Sequence, residues 1–276
     1  MRAAAVQLSS TEDKQRNIAA AERLTREAAA DGALLVALPE RLNVRGSDAD
    51  YDAGAETLDG PTVAWARELA GELGIDLVAG TIVERREGED KLSNTCLHVG
   101  PDGEPKAVYR KIHMFDVEVG DVVYRESARH APADEVVLSE TADGVPLGLT
   151  ICYDLRFPEL YRILALRGAR VITVPSNFTR VTGAAHWEIL LRARAIEDQV
   201  FVVAPAQTGR QPPDGASWGH SMIVDPWGEL LAEASEEEGF IAAELDLARQ
   251  DEVRDKLPSL ANRVPGAYRW PEGVHA

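Results

Sequence analysis

Short apolar runs alternate with longer stretches of helical spacing along the whole chain, and several of the runs stand in adjacent pairs. The runs have strand length, whereas the longer stretches can each bury one stripe of a helix. Residues 2–8, 34–38, 76–83, 94–99, 145–151, 171–174, 200–206, 221–224, 229–234 and 240–245 read as strands. Residues 14–30, 62–73, 158–167, 186–198 and 247–256 read as helices. Asp31-Gly32 closes the first helix, and Pro61 and Pro158 stand at the first turns of two others, where a missing N–H costs nothing. Asp225-Pro226-Trp227-Gly228 is a strong turn signal between hairpin strands. Mixing strand–helix alternation with adjacent strand pairs predicts an α/β protein built as a two-sheet sandwich rather than one doubly wound sheet. No Ser- or Pro-rich linker divides the chain, so one domain is expected.

Charge narrows the partners. The 276 residues include 46 acidic and 29 basic side chains, a formal net charge of −17. Such a surface repels phosphate backbones and anionic membranes, so neither nucleic acid nor membrane is expected as a partner. With only Cys96 and Cys152, a disulfide scaffold is excluded and a reducing cytoplasm is the expected location. The apolar stretch after Arg2 is too short for a signal peptide, and no run approaches membrane-spanning length.

Cys152 is the strongest chemical candidate. It stands where the run 145–151 breaks into polar residues before Pro158 and Glu159 open a helix. A thiol at such a strand-to-helix turn is held at a sheet edge, where nearby backbone N–H groups can lower its pKa. Three other polar residues also follow apolar runs: Glu40 after Leu38-Pro39, Lys111 after Val108-Tyr109-Arg110, and Glu126 after Val122-Val123-Tyr124-Arg125. No phosphate-binding glycine loop is present, and the six histidines lack ligand spacing. Neither a metal nor a cofactor is therefore called for, and His113, His186 and His220 read as packing or hydrogen-bonding residues.

Taken together, these stretches resemble the nitrilase (carbon–nitrogen hydrolase) superfamily. Leu38-Pro39-Glu40, Tyr109-Arg110-Lys111 and Ile151-Cys152-Tyr153-Asp154 stand in the order of its Glu-Lys-Cys triad. The likeness continues through His186-Trp187-Glu188, Trp218-Gly219-His220-Ser221-Met222 and Asp225-Pro226-Trp227-Gly228, so it spans nearly the whole chain. The resemblance implies a four-layer αββα sandwich over residues 1–256. It also implies a homodimer, with a C-terminal tail, 257–276, at the interface.

The roles implied by the resemblance are chemically consistent. An amide is a poor electrophile, so the sulfur of Cys152 must lose its proton during attack, and Glu40 would take it as general base. Lys111 and the backbone N–H of Tyr153 would stabilise the oxyanion, with Glu126 orienting Lys111. Tyr109-Arg110-Lys111-Ile112-His113 and Cys152-Tyr153-Asp154-Leu155-Arg156-Phe157-Pro158 look most like the branch of omega-amidase and deaminated-glutathione amidase. Their substrates are small amides that end in a carboxylate. Arg156 matches a position the branch uses for that carboxylate, and Phe178 and Thr182 match neighbouring pocket positions. The triad is also shared with N-carbamoyl and aliphatic amide hydrolases and with nitrilases.

Overall fold

The computed structural model describes residues 1–210 and 215–269. Its strands are β1 (Arg2–Gln7), β2 (Leu35–Ala37), β3 (Asp76–Glu84), β4 (Ser93–Val99), β5 (Pro105–Arg110), β6 (Asp116–Val119) and β7 (Val122–Arg125). There follow β8 (Leu138–Glu140), β9 (Pro146–Leu149), β10 (Val171–Thr173), β11 (Phe201–Ala204), β12 (Met222–Val224), β13 (Leu230–Glu233) and β14 (Gly239–Glu244). The helices are α1 (Lys14–Ala30), α2 (Asp48–Gly54), α3 (Pro61–Leu73), α4 (Pro158–Leu166), α5 (Arg180–Asp198) and α6 (Leu247–Lys256).

Two six-stranded sheets result, in the orders β14-β1-β2-β3-β4-β5 and β13-β12-β11-β10-β9-β8. Both are mixed: β1, β2 and β3 run parallel, as do β9, β10 and β11, and hairpin neighbours flank them. Because side chains alternate across a strand, each sheet has two apolar faces to cover. Ala3, Ala5, Leu35, Ala37 and Val78 pack in one cluster with Leu147, Leu149 and Val171 of the second sheet. Their sequence neighbours Ala4, Val6, Val36 and Leu77 pack instead with Leu24 and Ala28 of α1 and Leu69 of α3. On the far side, Leu160 and Leu164 of α4 and Trp187 and Leu191 of α5 cover the second sheet. The layers are αββα, as the resemblance implied.

Three local differences from the sequence reading have physical causes. Helix α5 begins at Arg180, well before residue 186, because Thr179 caps it and accepts from the Thr182 amide at 3.3 Å. Helix α2 buries none of its residues, so it left no apolar stripe to read. The hairpin β6–β7 stands apart as its own two-stranded sheet, and Val122 and Val123 are exposed. Among the described residues, no helix is long and apolar enough to cross a membrane.

Candidate active site

The candidate residues meet at one end of the sandwich. Beyond β2 the chain stays close to β3, with the Leu38 amide donating to Val78 O at 2.9 Å and the Arg41 amide to Thr81 Oγ1 at 2.9 Å. This approach needs Gly80, at φ +58°, because a Cβ there would lie 2.2 Å from Pro39 O. Arg41 itself has φ +62°, which turns the chain immediately after Glu40. Strands β4 and β5 pair so that the Lys111 amide donates to Asn94 O at 3.0 Å, setting both side chains beside Glu40. Hairpin β6–β7 ends at Arg125, so Glu126 opens the next turn, and the turn after β9 begins at Cys152.

These residues form a compact charged cluster. The Lys111 ammonium donates to Glu40 Oε1 at 3.0 Å and to Glu126 Oε2 at 2.8 Å. Asn94 Nδ2 donates to the same two carboxylates, at 2.7 Å to Glu40 and 3.3 Å to Glu126. Glu126 also accepts from Arg41 Nη2 at 3.0 Å and from the Phe115 amide at 2.8 Å. Lys111 is 2% exposed and Glu40 3%, so removing one partner would leave a buried charge without compensation.

The electrostatics follow from this packing. Burial opposes the Lys111 ammonium, but Glu126 and Glu40 outweigh it and raise the Lys111 pKa. Burial likewise opposes the Glu126 charge, yet Lys111 and Arg41 bring its pKa down to about 2. His130 is held neutral, its pKa lowered to about 3 by burial and then by Arg41. Its Nε2 therefore accepts from Arg41 Nη1 at 2.9 Å. The guanidinium of Arg41 also lies over the Tyr51 ring, 4.7 Å from its centre.

Cys152 sits at φ +49°, a backbone conformation uncommon for any residue but glycine. Its thiol pKa is well above the ordinary value, raised first by burial and then by the neighbouring Glu40 carboxylate. Lys111 and the Asn177 backbone N–H pull the other way without prevailing. The sequence-based expectation of a lowered thiol pKa is therefore corrected, because the thiol is buried and shares its space with a carboxylate. In the resting state the sulfur is a thiol beside an acceptor, an arrangement suited to proton transfer during attack. Cys96 is unrelated to this chemistry: it is fully buried in the inter-sheet core, and burial alone raises its thiol pKa.

Asp154 braces the turn. Fully buried, it accepts from the Ile151 amide at 2.9 Å, Tyr109 Oη at 2.6 Å and the His113 amide at 3.2 Å. His113 Nδ1 lies 2.8 Å from it, and the His113 ring stacks on Phe157 with centres 3.5 Å apart. His186 pairs with Arg156, and His220 pairs with Glu233 while stacking on Trp218. These three histidines thus hold structural contacts, as expected. Arg41, Asn94 and His130 escaped sequence reasoning. Only the adjacency of Arg41 to Glu40 hinted at the first of them.

A cavity of about 630 Å³ opens onto the cluster, with Glu40, Lys111, Glu126 and Cys152 among its lining residues. Tyr153, Phe178 and Thr182 also line it. Arg156 does not: its guanidinium lies 5.8 Å from the centre of the Tyr153 ring and 5.5 Å from that of Phe178. It also hydrogen-bonds His186 at 3.3 Å. Among the described residues, no group of three His, Cys, Asp or Glu side chains is placed to hold a metal ion.

Comparison with known proteins agrees with this arrangement. The family model for carbon-nitrogen hydrolases matches residues 2–255. Omega-amidase NIT2 of Homo sapiens is 40% identical over 268 residues, covering 97% of this chain and 96% of the relative. Deaminated glutathione amidase of Bos taurus is 42% identical over 270 residues, covering 96% and 82% respectively. The crystal structure of the C. elegans NitFhit protein superposes with a TM-score of 0.91 at 39% identity. That match covers 97% of this chain but only 66% of the NitFhit chain. The chain belongs to the carbon–nitrogen hydrolase family, in the nitrilase-superfamily branch of the omega-amidases and deaminated-glutathione amidases.

Proposed function

We propose that this protein is a thiol-dependent amidase that hydrolyses the side-chain amide bond of a small carboxylated substrate, of the 2-oxoglutaramate or deaminated-glutathione type. The observation that carries the reading is the buried Cys152 thiol beside the Glu40 carboxylate and the Lys111 ammonium, where a cavity reaches all three. As the sulfur attacks the amide carbon, its proton passes to Glu40 and the carbonyl π electrons move onto oxygen. Lys111 and the Tyr153 backbone N–H would receive that oxyanion. Collapse breaks the C–N bond, and Glu40 returns the proton to the leaving nitrogen, which departs as ammonia from 2-oxoglutaramate or as the amine of cysteinylglycine from deaminated glutathione. Glu40 then deprotonates a water that attacks the thioester, and the thiol is restored. Glu126 holds Lys111 in place, and Phe178 and Thr182 line the acyl pocket with Arg156 behind Phe178.

The same reading makes the protein a cytoplasmic homodimer. Ile163, Leu166, Ile189 and Ile196 are exposed on α4 and α5, and Trp227 is exposed nearby. A partner would cover this apolar face, with the tail from Leu257 reaching across. Tail residues 270–276 lie outside the described residues.

Hydrolysis by wild type and Cys152→Ala tests the activity, read as ammonia release or, for deaminated glutathione, as release of cysteinylglycine. The panel holds 2-oxoglutaramate, deaminated glutathione, an N-carbamoyl amino acid, an aliphatic amide and a nitrile. Release from the first two, abolished by Cys152→Ala, is the expected result. Silence on both, or preference for the nitrile or the carbamoyl compound, would overturn it. Light scattering that gives a monomer would remove the dimer.

A further inference from the structure

Arg45 is a buried cation that the chemistry above does not use. It is 1% exposed, and its guanidinium N–H donors all face protein oxygens. Nε donates to Ser10 O at 2.7 Å, and Nη2 to Thr208 O at 3.0 Å and Arg210 O at 2.8 Å. Nη1 donates to Ser217 Oγ at 2.7 Å and reaches Asn177 Oδ1 at 3.5 Å. Burial lowers the Arg45 pKa to about 10, which leaves it ionised at neutral pH. A guanidinium can only donate, so the Ser217 hydroxyl accepts from it and turns its own proton elsewhere. That proton goes to Asn177 Oδ1. The Asn177 carboxamide is thereby held in one orientation, with its oxygen toward Arg45 and Ser217 and its NH2 group turned away from them.

Asn177 is only partly buried and lines the cavity together with Cys152, Phe178 and Thr182. Its backbone N–H is among the groups that act on the Cys152 thiol. The segment is fixed from behind, where the Trp218 amide donates to Phe178 O at 2.9 Å and the Arg180 amide to Ala216 O at 2.8 Å. Among the described residues, Asn177 Nδ2 has no acceptor, while Oδ1 has two donors. We infer that Asn177 is a substrate-binding residue whose carboxamide NH2 donates to the 2-oxo oxygen of the acyl chain, and that Arg45 is a positioning residue that orients it through Ser217. This deepens the amidase reading and rests on it. The choice of oxygen follows by allocation. Lys111 and the Tyr153 N–H take the amide oxygen, and the family resemblance gives the carboxylate to Arg156. The 2-oxo group is the acyl oxygen left without a donor, and a site built to hydrogen-bond such a group discriminates against an analogue that lacks it.

The test compares wild type, Asn177→Asp, Ser217→Ala and Arg45→Lys on 2-oxoglutaramate and glutaramate, which share the amide and the carboxylate and differ in the 2-oxo group. Asn177→Asp keeps an oxygen for Ser217 and Arg45 but removes the donor. Its new charge acts on both carboxylated substrates alike, so the ratio of their kcat/KM values reports the lost hydrogen bond. That ratio should fall about three- to tenfold from its wild-type value. Ser217→Ala and Arg45→Lys should lower it by smaller factors, because the carboxamide is then free to turn. In parallel, 2-oxoglutarate should protect Cys152 from iodoacetamide at lower concentration than glutarate in wild type, and Asn177→Asp should erase that difference. An unchanged ratio or unchanged protection in Asn177→Asp would overturn the binding role. A wild-type ratio in both Ser217→Ala and Arg45→Lys would overturn the positioning role. If wild type hydrolysed neither amide, the amidase reading would fail, while the protection pair would still decide whether Asn177 reads the 2-oxo group.

Discussion

The Tyr109 hydroxyl donates to Asp154 at 2.6 Å, joining the last strand of the first sheet to the nucleophile turn of the second. Lys111 lies two residues beyond Tyr109, and Cys152 two residues before Asp154. This bond thus aligns the ammonium of one sheet with the sulfur of the other. Tyr109→Phe would leave a buried carboxylate one donor short, at a cost of about 1–3 kcal/mol. We expect kcat to fall while KM changes little. Denaturant unfolding and steady-state kinetics check both, and a variant with wild-type stability and kcat would show that the bond aligns nothing.

Glu40→Gln separates proton transfer from thiol acidity. Hydrolysis should fall about 10²–10⁴-fold, the usual range for a lost general base. The neighbouring carboxylate raises the Cys152 pKa, so its neutralisation should leave iodoacetamide alkylation at alkaline pH as fast as in wild type, or faster. Alkylation that collapsed together with turnover would argue against this division of roles.

Lys111 neutralises two buried carboxylates, so Lys111→Met should destabilise the fold by about 3–5 kcal/mol. Adding Glu126→Gln should recover part of that loss, because one of the uncompensated charges is then gone. Urea midpoints of the single and double variants give the comparison. A double variant less stable than Lys111→Met would contradict it.

Acid should weaken the same cluster. The Glu126 pKa falls from an ordinary 4.5 to about 2, so its ionised form favours the folded state. That contribution, on the order of 3 kcal/mol, is complete above about 4.5 and is lost as pH falls toward about 2. The stability gap between wild type and Glu126→Gln should therefore narrow over that window. A gap independent of pH there would mean that Glu126 is not held ionised by its neighbours.

The left-handed backbone at Cys152 gives a further comparison. Glycine adopts φ +49° without the steric cost that alanine bears. Both Cys152→Gly and Cys152→Ala lack the nucleophile and should be inactive, yet the glycine variant should be more stable by about 0.5–1 kcal/mol. Thermal unfolding of the pair decides it, and an alanine variant of greater stability would show that the turn is not strained.

Legibility from sequence followed burial. Helix α6 was read at its observed bounds, since Asp246 caps it and its polar run ends at Lys256. Glu40, Lys111, Glu126 and Cys152 were each visible as a polar residue after an apolar run, because the cavity opens at the ends of strands. Asn94 was hidden inside an apolar-looking strand, where its amide serves two carboxylates that arrive from distant segments. His130 was hidden because its neutral state depends on Arg41, a partner 89 positions away. Helix α2 could have been found from Ser47 and Asp50, whose reciprocal capping bonds are a short-range signal even without an apolar stripe.

The pairing of β1 with β14 bears on the growing chain. Ala3, Ala4, Ala5 and Val6 are fully buried, and their outer hydrogen-bonding edge is closed by residues 240–243. While a ribosome is still adding those residues, β1 is an apolar strand with one edge unpaired, open to pairing with other chains. Ribosome-arrested chains ending before residue 239 should then show an N-terminal segment that proteases cut readily, with resistance arriving once β14 has emerged. Early protection would mean that the first sheet settles without its edge strand.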